Sequence, residues 1–575
     1  MSNYLNLEMG GTSVYYDDES NNPKELTMND KNRSDAMYIT SNLNIFYDRM
    51  YNYYYQGGIR NIILNIGLNI SILIITNLFI MYTFAYINWN DIIVHCKHKE
   101  DICEHLSDFI DYSNSIHPII IIYLIMTTIY ALIYLFIHIS RLVEYRYIRN
   151  FYNNILDINN EYLNIVRWEI IIDKMKTAQK NKKIMIERFE KDRELDEYSI
   201  LSRITQYNNI IVSMVNSNIL FKRTNLSRNI LFTQYIENIT RNRIFNYIID
   251  IKNTNISIDA KQIRIKNHII KVMIINTIFL PFIFMFMLTY YILKSSKDIN
   301  NKQDMFLNKR WTNYAHWTFR AYNEVDIDFD ERMHRSHTYM NRYINCFPSK
   351  TLNCIFYFFR FFLSAFLLFI ISISFIDENA LLDLKFLDFN LLWYFAILTI
   401  ITAGLNNVLK NDSFKYSRDD VVKNLAKYTY VLPPNDIINN YRLYKSFIKH
   451  YKTNIENILY EVFSILISPY ILYKCYYVNS DDILEYIENN TTTFYSQGTI
   501  DNYSNFSKEI QNENTVLYRK REKSFVAFKS LYPEWKKESN DLTNYLSELT
   551  KYDEENDFPS MYASEIYSSN YNLSL

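Results

Sequence analysis

The chain contains 575 residues with a formal net charge of −1, and only 7 of them are glycine and 9 are proline. The glycines never fall into the G-x-G-x-x-G or G-x-x-x-x-G-K spacing, which excludes the two common phosphate-binding loops. Sandwiches and barrels need glycine or proline at most turns, so an all-α fold is predicted. The near balance of 61 basic and 62 acidic residues leaves no basic excess for binding nucleic acid, and no nucleic-acid partner is expected.

Six apolar stretches interrupt this polar sequence. A helix needs about 20 apolar residues to cross a bilayer, and four of the stretches reach that length. These four are residues 62–87, 118–139, 351–376 and 389–408. The chain is therefore predicted to be a polytopic membrane protein with four spanning helices.

The other two apolar stretches, residues 272–293 and 458–473, each contain a proline, Pro281 and Pro469. Basic residues flank both stretches on both sides, which indicates that each one enters and leaves on the cytosolic face. Because proline interrupts the hydrogen bonding of a helix, a bent, re-entrant membrane helix is predicted for each. Two kinked spanning helices are the alternative.

The charges next to the apolar stretches orient the chain. Residues 1–40 lack the apolar core of a secretory signal peptide, so none is expected, and orientation rests on the distribution of Lys and Arg. The loops at 91–111 and 377–388 are mainly acidic and are predicted to be lumenal. Both tails and the large central region are predicted to be cytosolic.

These assignments divide the chain into consecutive segments. The predicted segments are a flexible cytosolic tail (1–40), a first transmembrane hairpin (41–140) with a lumenal loop (88–117), a cytosolic helical domain (141–270), a re-entrant helix (271–294), a cytosolic segment (295–350), a second transmembrane hairpin (351–408), cytosolic helices (409–457), a second re-entrant helix (458–477) and a flexible cytosolic C-terminal tail (478–575).

Few residues indicate covalent chemistry. Cys96 and Cys103 lie among histidines in the first predicted lumenal loop, where a disulfide, a Zn²⁺ site and chance clustering all remain open. Asp326, Asp328 and Asp330 form the D-x-D pattern of metal-dependent sugar-nucleotide enzymes, but a helix would point the three carboxylates apart and favours a solvated face. No hydrolase motif is found, so no enzymatic activity, cofactor or metal is expected.

Polar side chains inside the predicted spanning helices are candidates for a transport path. Asn65, Asn69 and Asn77 lie in the first of these helices, and Arg360 lies in the stretch 351–376. Because polar groups are costly to place in hydrocarbon, they are expected to face other helices or a water-filled groove. Hydrogen bonds between helices are the structural alternative for the amides, and extension of the side chain to the interface is the alternative for Arg360.

Several segments of the chain resemble one protein family. Residues 42–58, which run directly into the first apolar stretch, are similar to the opening of the autophagy-related protein 9 family, and Asn69 stands where that family's first membrane helix has an Asn-Leu pair. The most specific match is residues 310–324, from Arg310 to Asn323-Glu324, although Thr318 replaces a usual Lys. Residues 468–472, Ser-Pro-Tyr-Ile-Leu, resemble the family's closing Thr-Pro-x-Ile-Leu.

This resemblance implies a fold and a function. The implied fold has four spanning helices, two re-entrant helices and a cytosolic helical domain, assembled as a domain-swapped homotrimer. The implied function is that of a phospholipid scramblase that moves lipids between leaflets without energy input and supplies membrane for autophagosome formation. A lipid-transfer protein of the autophagy-related protein 2 type is the implied partner. The implied locations are the phagophore assembly site, Golgi-derived cytoplasmic vesicles and the endoplasmic reticulum.

The implied scramblase function would give the candidate residues specific roles. The amides of the first helix and Arg360 would line the lipid path, while Lys294, Arg310 and Arg320 would meet anionic headgroups at its cytosolic mouth. Arg320 with Glu324 is equally well explained as a structural i,i+4 pair. An ion channel or transporter with Arg360 in its pore is the main alternative function, and a membrane glycosyltransferase using the D-x-D pattern is a weaker one.

Overall fold

The computed structural model is predominantly helical. It describes residues 14–17, 20–25, 37–39, 43–89, 110, 117–181, 184–186, 196–296, 309–347, 350–376, 380–386, 389–409, 418–431, 437–494, 498–510 and 515–547. Among these residues the strands are short and occur only in two-stranded sheets. The predicted all-α class is therefore confirmed in its main feature.

The α-helices in chain order are α1 (Leu43–Tyr55), α2 (Ile59–Met81), α3 (Pro118–Asn154), α4 (Trp168–Lys180), α5 (Glu197–Ile204), α6 (Gln206–Asn216), α7 (Arg228–Leu231), α8 (Gln234–Ile239), α9 (Asn246–Lys252), α10 (Ile258–Ser296), α11 (Asn313–Phe319), α12 (Asp326–Asn345), α13 (Lys350–Ile376), α14 (Ala380–Asp383), α15 (Leu391–Leu409), α16 (Arg418–Thr429), α17 (Ile437–His450), α18 (Asn454–Leu466), α19 (Ser468–Ile471), α20 (Ser480–Asn490) and α21 (Val516–Leu531). Turns of π-helix follow α2, α8 and α19, at Tyr82–Tyr86, Thr240–Phe245 and Leu472–Tyr477.

The strands are β1 (Val14–Asp17), β2 (Ser20–Glu25), β3 (Met37–Ile39), β4 (Ile184–Ile186), β5 (Lys309–Trp311), β6 (Lys385–Phe386), β7 (Phe389–Asn390), β8 (Tyr451–Thr453), β9 (Thr491–Phe494) and β10 (Gly498–Asp501). The pair β3–β4 is parallel, whereas β1–β2, β5–β8 and β6–β7 are antiparallel.

Four helices of the described chain are long and apolar enough to cross a membrane. They are Ile59–Tyr86, Pro118–Asn154, Ile258–Lys294 and Cys354–Phe375. Three of them coincide, to within a few residues at each end, with the stretches 62–87, 118–139 and 351–376 or include them. The fourth predicted span, 389–408, forms α15, whose described apolar part, Leu391–Thr402, is shorter than a span.

Helix α10 differs from the predicted re-entrant helix at 271–294. It is one α-helix of 39 residues with Pro281 in its interior, so the proline does not end it. Proline removes one backbone hydrogen bond, and a long helix tolerates this loss where neighbouring groups satisfy the freed carbonyl. The break that motivated the prediction is therefore absent at this position, and the length of α10 suits a span instead.

The second predicted re-entrant helix does contain a sharp bend. Helix α18 and the segment Ser468–Tyr477 are long and apolar enough to cross a membrane only when they are taken together. Their axes differ by 74°. Ile467 ends α18, and Pro469 lies in the first turn of the following helix, where its missing N–H costs nothing. The proline therefore begins a helix in a new direction.

The chain separates into two compact units. The first contains residues 1–70, 132–204 and 493–498. Its core is aromatic: the Phe46 ring lies 5.1 Å from the Phe151 ring, and the Tyr51 ring lies 5.0 Å from the Trp168 ring, both edge to face. Such pairs stabilise a core beyond the area that they bury.

The second unit contains residues 71–131, 205–492 and 499–575. One of its cores surrounds Trp311, Met340, Tyr343 and Leu425, which are all buried. The strand pair β5–β8 and the N-cap of α11, where the Thr312 hydroxyl accepts a hydrogen bond from the Ala315 N–H, fix the start of the segment 309–324.

The C-terminal region corrects the predicted flexible tail at 478–575. Helices α20 and α21 form there, and Phe506, Phe525 and Leu542 are fully buried. Arg521 is also fully buried; it forms an ion pair with Asp541 and donates a hydrogen bond to the Ser539 hydroxyl at 3.0 Å. The described residues of this region, up to residue 547, are thus part of a folded core, because their few large apolar side chains converge on one cluster.

Candidate functional site

The amides of the first membrane helix pair with tyrosines of α3. Asn69 Nδ2 donates to the Tyr134 hydroxyl at 3.0 Å, and the Tyr123 hydroxyl donates to Asn77 Oδ1 at 3.1 Å. These are hydrogen bonds between helices, the structural role that the sequence left open for such amides. Asn69 keeps an exposed side chain despite this bond.

Two further polar residues of the same helix behave differently. Asn65 is exposed, whereas Thr76 is buried and donates to the backbone carbonyl of Ile72 at 2.8 Å. Positions 65, 69 and 76 project from one side of the helix, since the intervals of four and seven residues are close to whole turns. The side chains of this group form a polar stripe along a mainly apolar helix.

Arg360 lies in the first half of α13 with an exposed side chain. It forms no salt bridge or hydrogen bond with any residue that the structure describes. A guanidinium on an apolar helix must reach water, a headgroup or another chain, because burial without a partner is costly. Its placement is compatible with both roles that the sequence left open.

A polar network holds the bend between α18 and α19. Asn276 of α10 is buried; its Nδ2 donates to the Ser468 hydroxyl at 2.6 Å, and its Oδ1 accepts from the Tyr235 hydroxyl. The Ser468 hydroxyl itself donates to the Ile465 carbonyl at 2.7 Å, across the break at Ile467. Backbone groups released by the bend thus find partners in the protein, as a low-dielectric environment requires.

Glu461 of α18 caps another helix. One carboxylate oxygen accepts from the Gln234 N–H at 2.8 Å and the other from the Tyr235 N–H at 3.4 Å, at the start of α8. A negative charge is favourable there because the first turn of a helix presents unpaired N–H groups. The acidic residue in this apolar stretch is thereby explained by local structure.

The predicted headgroup contacts Lys294 and Arg310 are exposed. Lys294 lies near the end of α10, with its ammonium 5.6 Å from the centre of the Tyr290 ring. Arg310 is the middle residue of β5 and is opposite Lys452 of β8. Both side chains are accessible to a ligand from solvent.

Arg320 is buried, in contrast to these two. Its Nη2 donates to the Asp326 carboxylate at 2.5 Å and to the Glu324 backbone carbonyl at 3.1 Å. The guanidinium also lies 5.3 Å from the Trp317 ring centre and 5.1 Å from that of Phe329. These contacts favour the structural role, although its carboxylate partner is Asp326 rather than the expected Glu324.

Asn323 and Glu324 organise the turn after α11. Asn323 has a positive φ of 58°, a conformation that asparagine adopts more readily than most residues. Its N–H donates to Asn209 Oδ1 at 2.9 Å, and its Nδ2 donates to the Ser504 carbonyl at 2.8 Å. The Glu324 carboxylate accepts from the Ala321 N–H at 2.8 Å, which closes the turn.

The D-x-D residues do not form a metal site. Asp326, Asp328 and Asp330 occupy the first turns of α12, where helical geometry separates their side chains. Among the described residues, no group of three or more His, Cys, Asp or Glu side chains is placed to hold a metal ion. Cys96 and Cys103 lie outside the described residues.

Three histidines of the second unit are held in the neutral form. Burial lowers the pKa values of His316, His337 and His450 to about 4 each. Nearby positive charges act in the same direction, such as Arg320 on His316 and Lys449 on His450. His316 lies within the matched segment 310–324, and the His450 ring lies 5.1 Å from the Tyr314 ring of that segment. Protonation of these buried rings would oppose the folding of the segment.

Comparisons with known proteins agree with this arrangement. A sequence model of the family described as autophagy protein ATG9 matches residues 36–507. The chain belongs to the ATG9 family. It is thus a membrane protein of autophagy, and the resemblance found in the sequence is confirmed.

Individual ATG9 relatives are distant in sequence. Autophagy-related protein 9 of Dictyostelium discoideum is 24% identical over 541 residues, covering 89% of this chain and 75% of that protein. The Arabidopsis thaliana relative is 23% identical and covers 87% of this chain, which spans only 62% of that protein. The cryo-EM structure of Schizosaccharomyces pombe Atg9 matches with a TM-score of 0.59 at 20% identity, over 81% of this chain and 99% of that chain, which supports the fold.

Two important residues were not identified from the sequence. Asn276 is a polar residue within an apolar stretch, the same signal that identified Asn69, so it could have been found. Arg332, which pairs with Glu324, lies in a charged helix without a distinguishing pattern. Only its burial distinguishes it from its neighbours.

Proposed function

We propose that this ATG9-family chain is a phospholipid scramblase that equilibrates lipids between leaflets without energy input and supplies membrane during autophagosome formation. Family membership supports the autophagy role, and the polar stripe of α2 supports the lipid path. The substrate is the phospholipid itself, and no covalent step is involved. The sites of action proposed are the phagophore assembly site, Golgi-derived vesicles and the endoplasmic reticulum.

The polar stripe is the observation on which the mechanism rests. A headgroup that crosses the bilayer needs polar partners at intervals, while its acyl chains stay in hydrocarbon. Asn65 and Asn69 are exposed and lie four residues apart, about 6 Å along the helix axis. Successive amides can therefore exchange hydrogen bonds with a passing phosphate, with Asn77 and Arg360 as further contacts.

The proposed assembly is a homotrimer with exchanged segments. The bent pair α18–α19 would act as a re-entrant element, and such an element needs protein around its irregular backbone. Arg360 and the exposed apolar surfaces of α13 would then face neighbouring copies or lipid. A bridge-like lipid-transfer protein of the autophagy-related protein 2 type is the proposed partner that delivers lipid to one leaflet.

Reconstitution of the full chain in liposomes tests this function. Liposomes carry a fluorescent phospholipid in both leaflets, and dithionite bleaches only the label that reaches the outer leaflet. We expect complete bleaching with protein and bleaching of the outer leaflet alone without it. Bleaching equal to that of protein-free liposomes, at one trimer or more per vesicle, would contradict the proposal.

Two variants test the path itself. Arg360→Leu removes a charge that has no partner among the described residues, so folding should be retained while lipid exchange slows. Asn69→Leu removes the amide and also breaks its hydrogen bond to Tyr134. Tyr134→Phe is the matched control, because it breaks the same hydrogen bond but leaves the Asn69 amide in place. Slow exchange in Asn69→Leu with normal exchange in Tyr134→Phe is expected if the amide serves the path.

A further inference from the structure

A polar cavity of about 190 Å³ lies within the first unit, at the start of helix α2. It is lined by Arg60 and Arg149 and by the side chains of several asparagines, including Asn61 and Asn164. A bound phosphate group could be accommodated in a space of this size. The cavity does not include any residue of the proposed lipid path.

Two glycines create the cavity. Gly57 and Gly58 both have positive φ values, 71° and 94°, which residues with a side chain rarely adopt. A Cβ atom at Gly57 would lie 2.6 Å from Asn164 Oδ1 and 2.8 Å from Asn61 Nδ2, so it would collide with the lining. The turn thus keeps the polar side chains of two segments close together.

The charge of the cavity favours an anion. Arg60 and Arg149 are exposed, and neither forms a salt bridge or a side-chain hydrogen bond with a described residue. The single carboxylate in the lining belongs to Glu161, so the local charge is one positive unit. The first turn of α2 adds the positive end of the helix dipole. Guanidinium groups bind phosphate through paired, charge-assisted hydrogen bonds.

The position of the cavity identifies the source of the phosphate. The apolar helix Ile59–Tyr86 has 28 residues, which is about 42 Å at 1.5 Å per residue. That length equals the thickness of a bilayer including its headgroup layers, about 40–45 Å. Arg60 therefore lies at the depth of the headgroups, and the basic residues Arg141, Arg146 and Arg149 of α3 place this end on the cytosolic face.

We infer that this cavity binds the phosphate group of an anionic phospholipid of the cytosolic leaflet. The two arginines bind the phosphate. The asparagine amides form hydrogen bonds, as donors or acceptors, with the rest of the headgroup. Glu161 weakens the site by repulsion and so limits its affinity. This binding site is distinct from the lipid path, and its occupancy can be measured without any lipid exchange.

The test measures lipid binding to the purified full chain by native mass spectrometry in detergent, with phosphatidylserine titrated against phosphatidylcholine. The variant Arg60→Gln/Arg149→Gln is expected to lower the affinity for phosphatidylserine about tenfold or more, because two interfacial cations are lost. The control Arg146→Gln/Arg167→Gln removes the same charge from exposed positions outside the cavity and should change affinity less than about twofold. Equal losses in the two variants would overturn the assignment.

A variant that is expected to bind phosphatidylserine more tightly shows that the loss of binding in the arginine variant is not caused by misfolding. Glu161→Gln removes the opposing charge and is expected to bind phosphatidylserine about threefold more tightly. Unchanged or weaker binding would contradict the proposed charge balance. Glycerophosphoserine, which has the same headgroup without acyl chains, serves as the competitor. If it binds as tightly as the lipid, the cavity is a site for free phosphate compounds and the assignment to a membrane lipid is wrong.

Discussion

Glu324 and Arg332 form a buried, two-pronged ion pair: Nε to Oε1 and Nη2 to Oε2 are both 2.7 Å. Each side chain is only 9% exposed. Arg332 also donates to the backbone carbonyls of Phe319 and Tyr428. The pair therefore ties the end of the matched segment to helices α12 and α16.

The first prediction concerns this ion pair. Arg332→Met leaves the Glu324 carboxylate buried without its partner and should lower the free energy of unfolding by about 3 kcal/mol or more. The matched control is Arg335→Met, which breaks the exposed pair with Glu331 on the same helix and should cost about 0.5 kcal/mol or less. Thermal unfolding followed by tryptophan fluorescence compares them, and similar shifts would argue against a structural role for the buried pair.

The second prediction concerns the bend at Ile467. Asn276→Leu removes the acceptor of the Tyr235 hydroxyl and one partner of the Ser468 hydroxyl, which still donates to the Ile465 carbonyl. An unsatisfied buried polar group costs about 1–3 kcal/mol. The adjacent Thr277→Val is the control, because among the described residues that exposed hydroxyl donates only to the Met273 carbonyl of its own helix. We expect a clearly lower melting temperature for Asn276→Leu alone. Equal stability of both variants would show that the network does not hold the bend.

The third prediction concerns acid sensitivity. His450 has a folded-state pKa of about 4, below its usual value of 6.5, so the unfolded chain binds its proton more readily. Its contribution to stability is therefore lost as the pH falls from 6.5 towards 4, by at most about 1.4 kcal/mol per pH unit.

His450→Gln keeps a donor for Asn229 but cannot be protonated. Between pH 7 and pH 5 its melting temperature should therefore fall less than that of the wild type. His334→Gln, at an exposed position of α12, should follow the wild type. The expectation is wrong if the two variants lose the same amount.

The fourth prediction has the opposite dependence on pH. Asp501 is fully buried, and burial raises its pKa from 3.8 to about 7. The folded state therefore binds the proton more tightly, and stability declines as the pH rises from about 4 to 7. Asp501→Asn keeps the acceptor for the N–H groups of Tyr503 and Ser504 and removes the charge.

We expect Asp501→Asn to be more stable than the wild type at pH 8 by about 2 kcal/mol, and by less at pH 5. Asp259→Asn, at an exposed position of α10, is the control and should change little at either pH. Lower stability of Asp501→Asn at pH 8 would show that the carboxylate is needed in its charged form.

The sequence predicted those features that depend on composition over a whole segment. The apolar runs at 62–87, 118–139 and 351–376 correspond to long helices, because about 20 apolar residues have few alternatives to a helix that crosses the membrane. The effect of a proline depends on what surrounds it. Pro281 remains inside a helix, whereas Pro469 follows a break, and nothing in either residue's immediate sequence distinguishes the two.

Burial of charged residues could not be predicted either. Arg310 and Arg320 belong to the same matched segment, yet the first is exposed and the second is enclosed by Trp317, Phe329 and Asp326. The residues 515–547 appeared to be a polar tail because their apolar side chains are widely spaced. Contacts over long separations, such as that of Arg521 with Asn505 and Ser539, bring those side chains together.

The long sequence separation between α21 and the segment 310–324 has a consequence for biosynthesis. The Ser524 hydroxyl accepts from the Tyr322 N–H, and Lys520 donates to the Thr318 carbonyl, each across 202 residues. The ribosome must therefore synthesise 202 further residues, including helices α13, α15 and α18, before Tyr322 acquires its partner Ser524. Until then Tyr322 and its neighbours are available to chaperones, so a chain in which α21 has not formed leaves them without these hydrogen bonds.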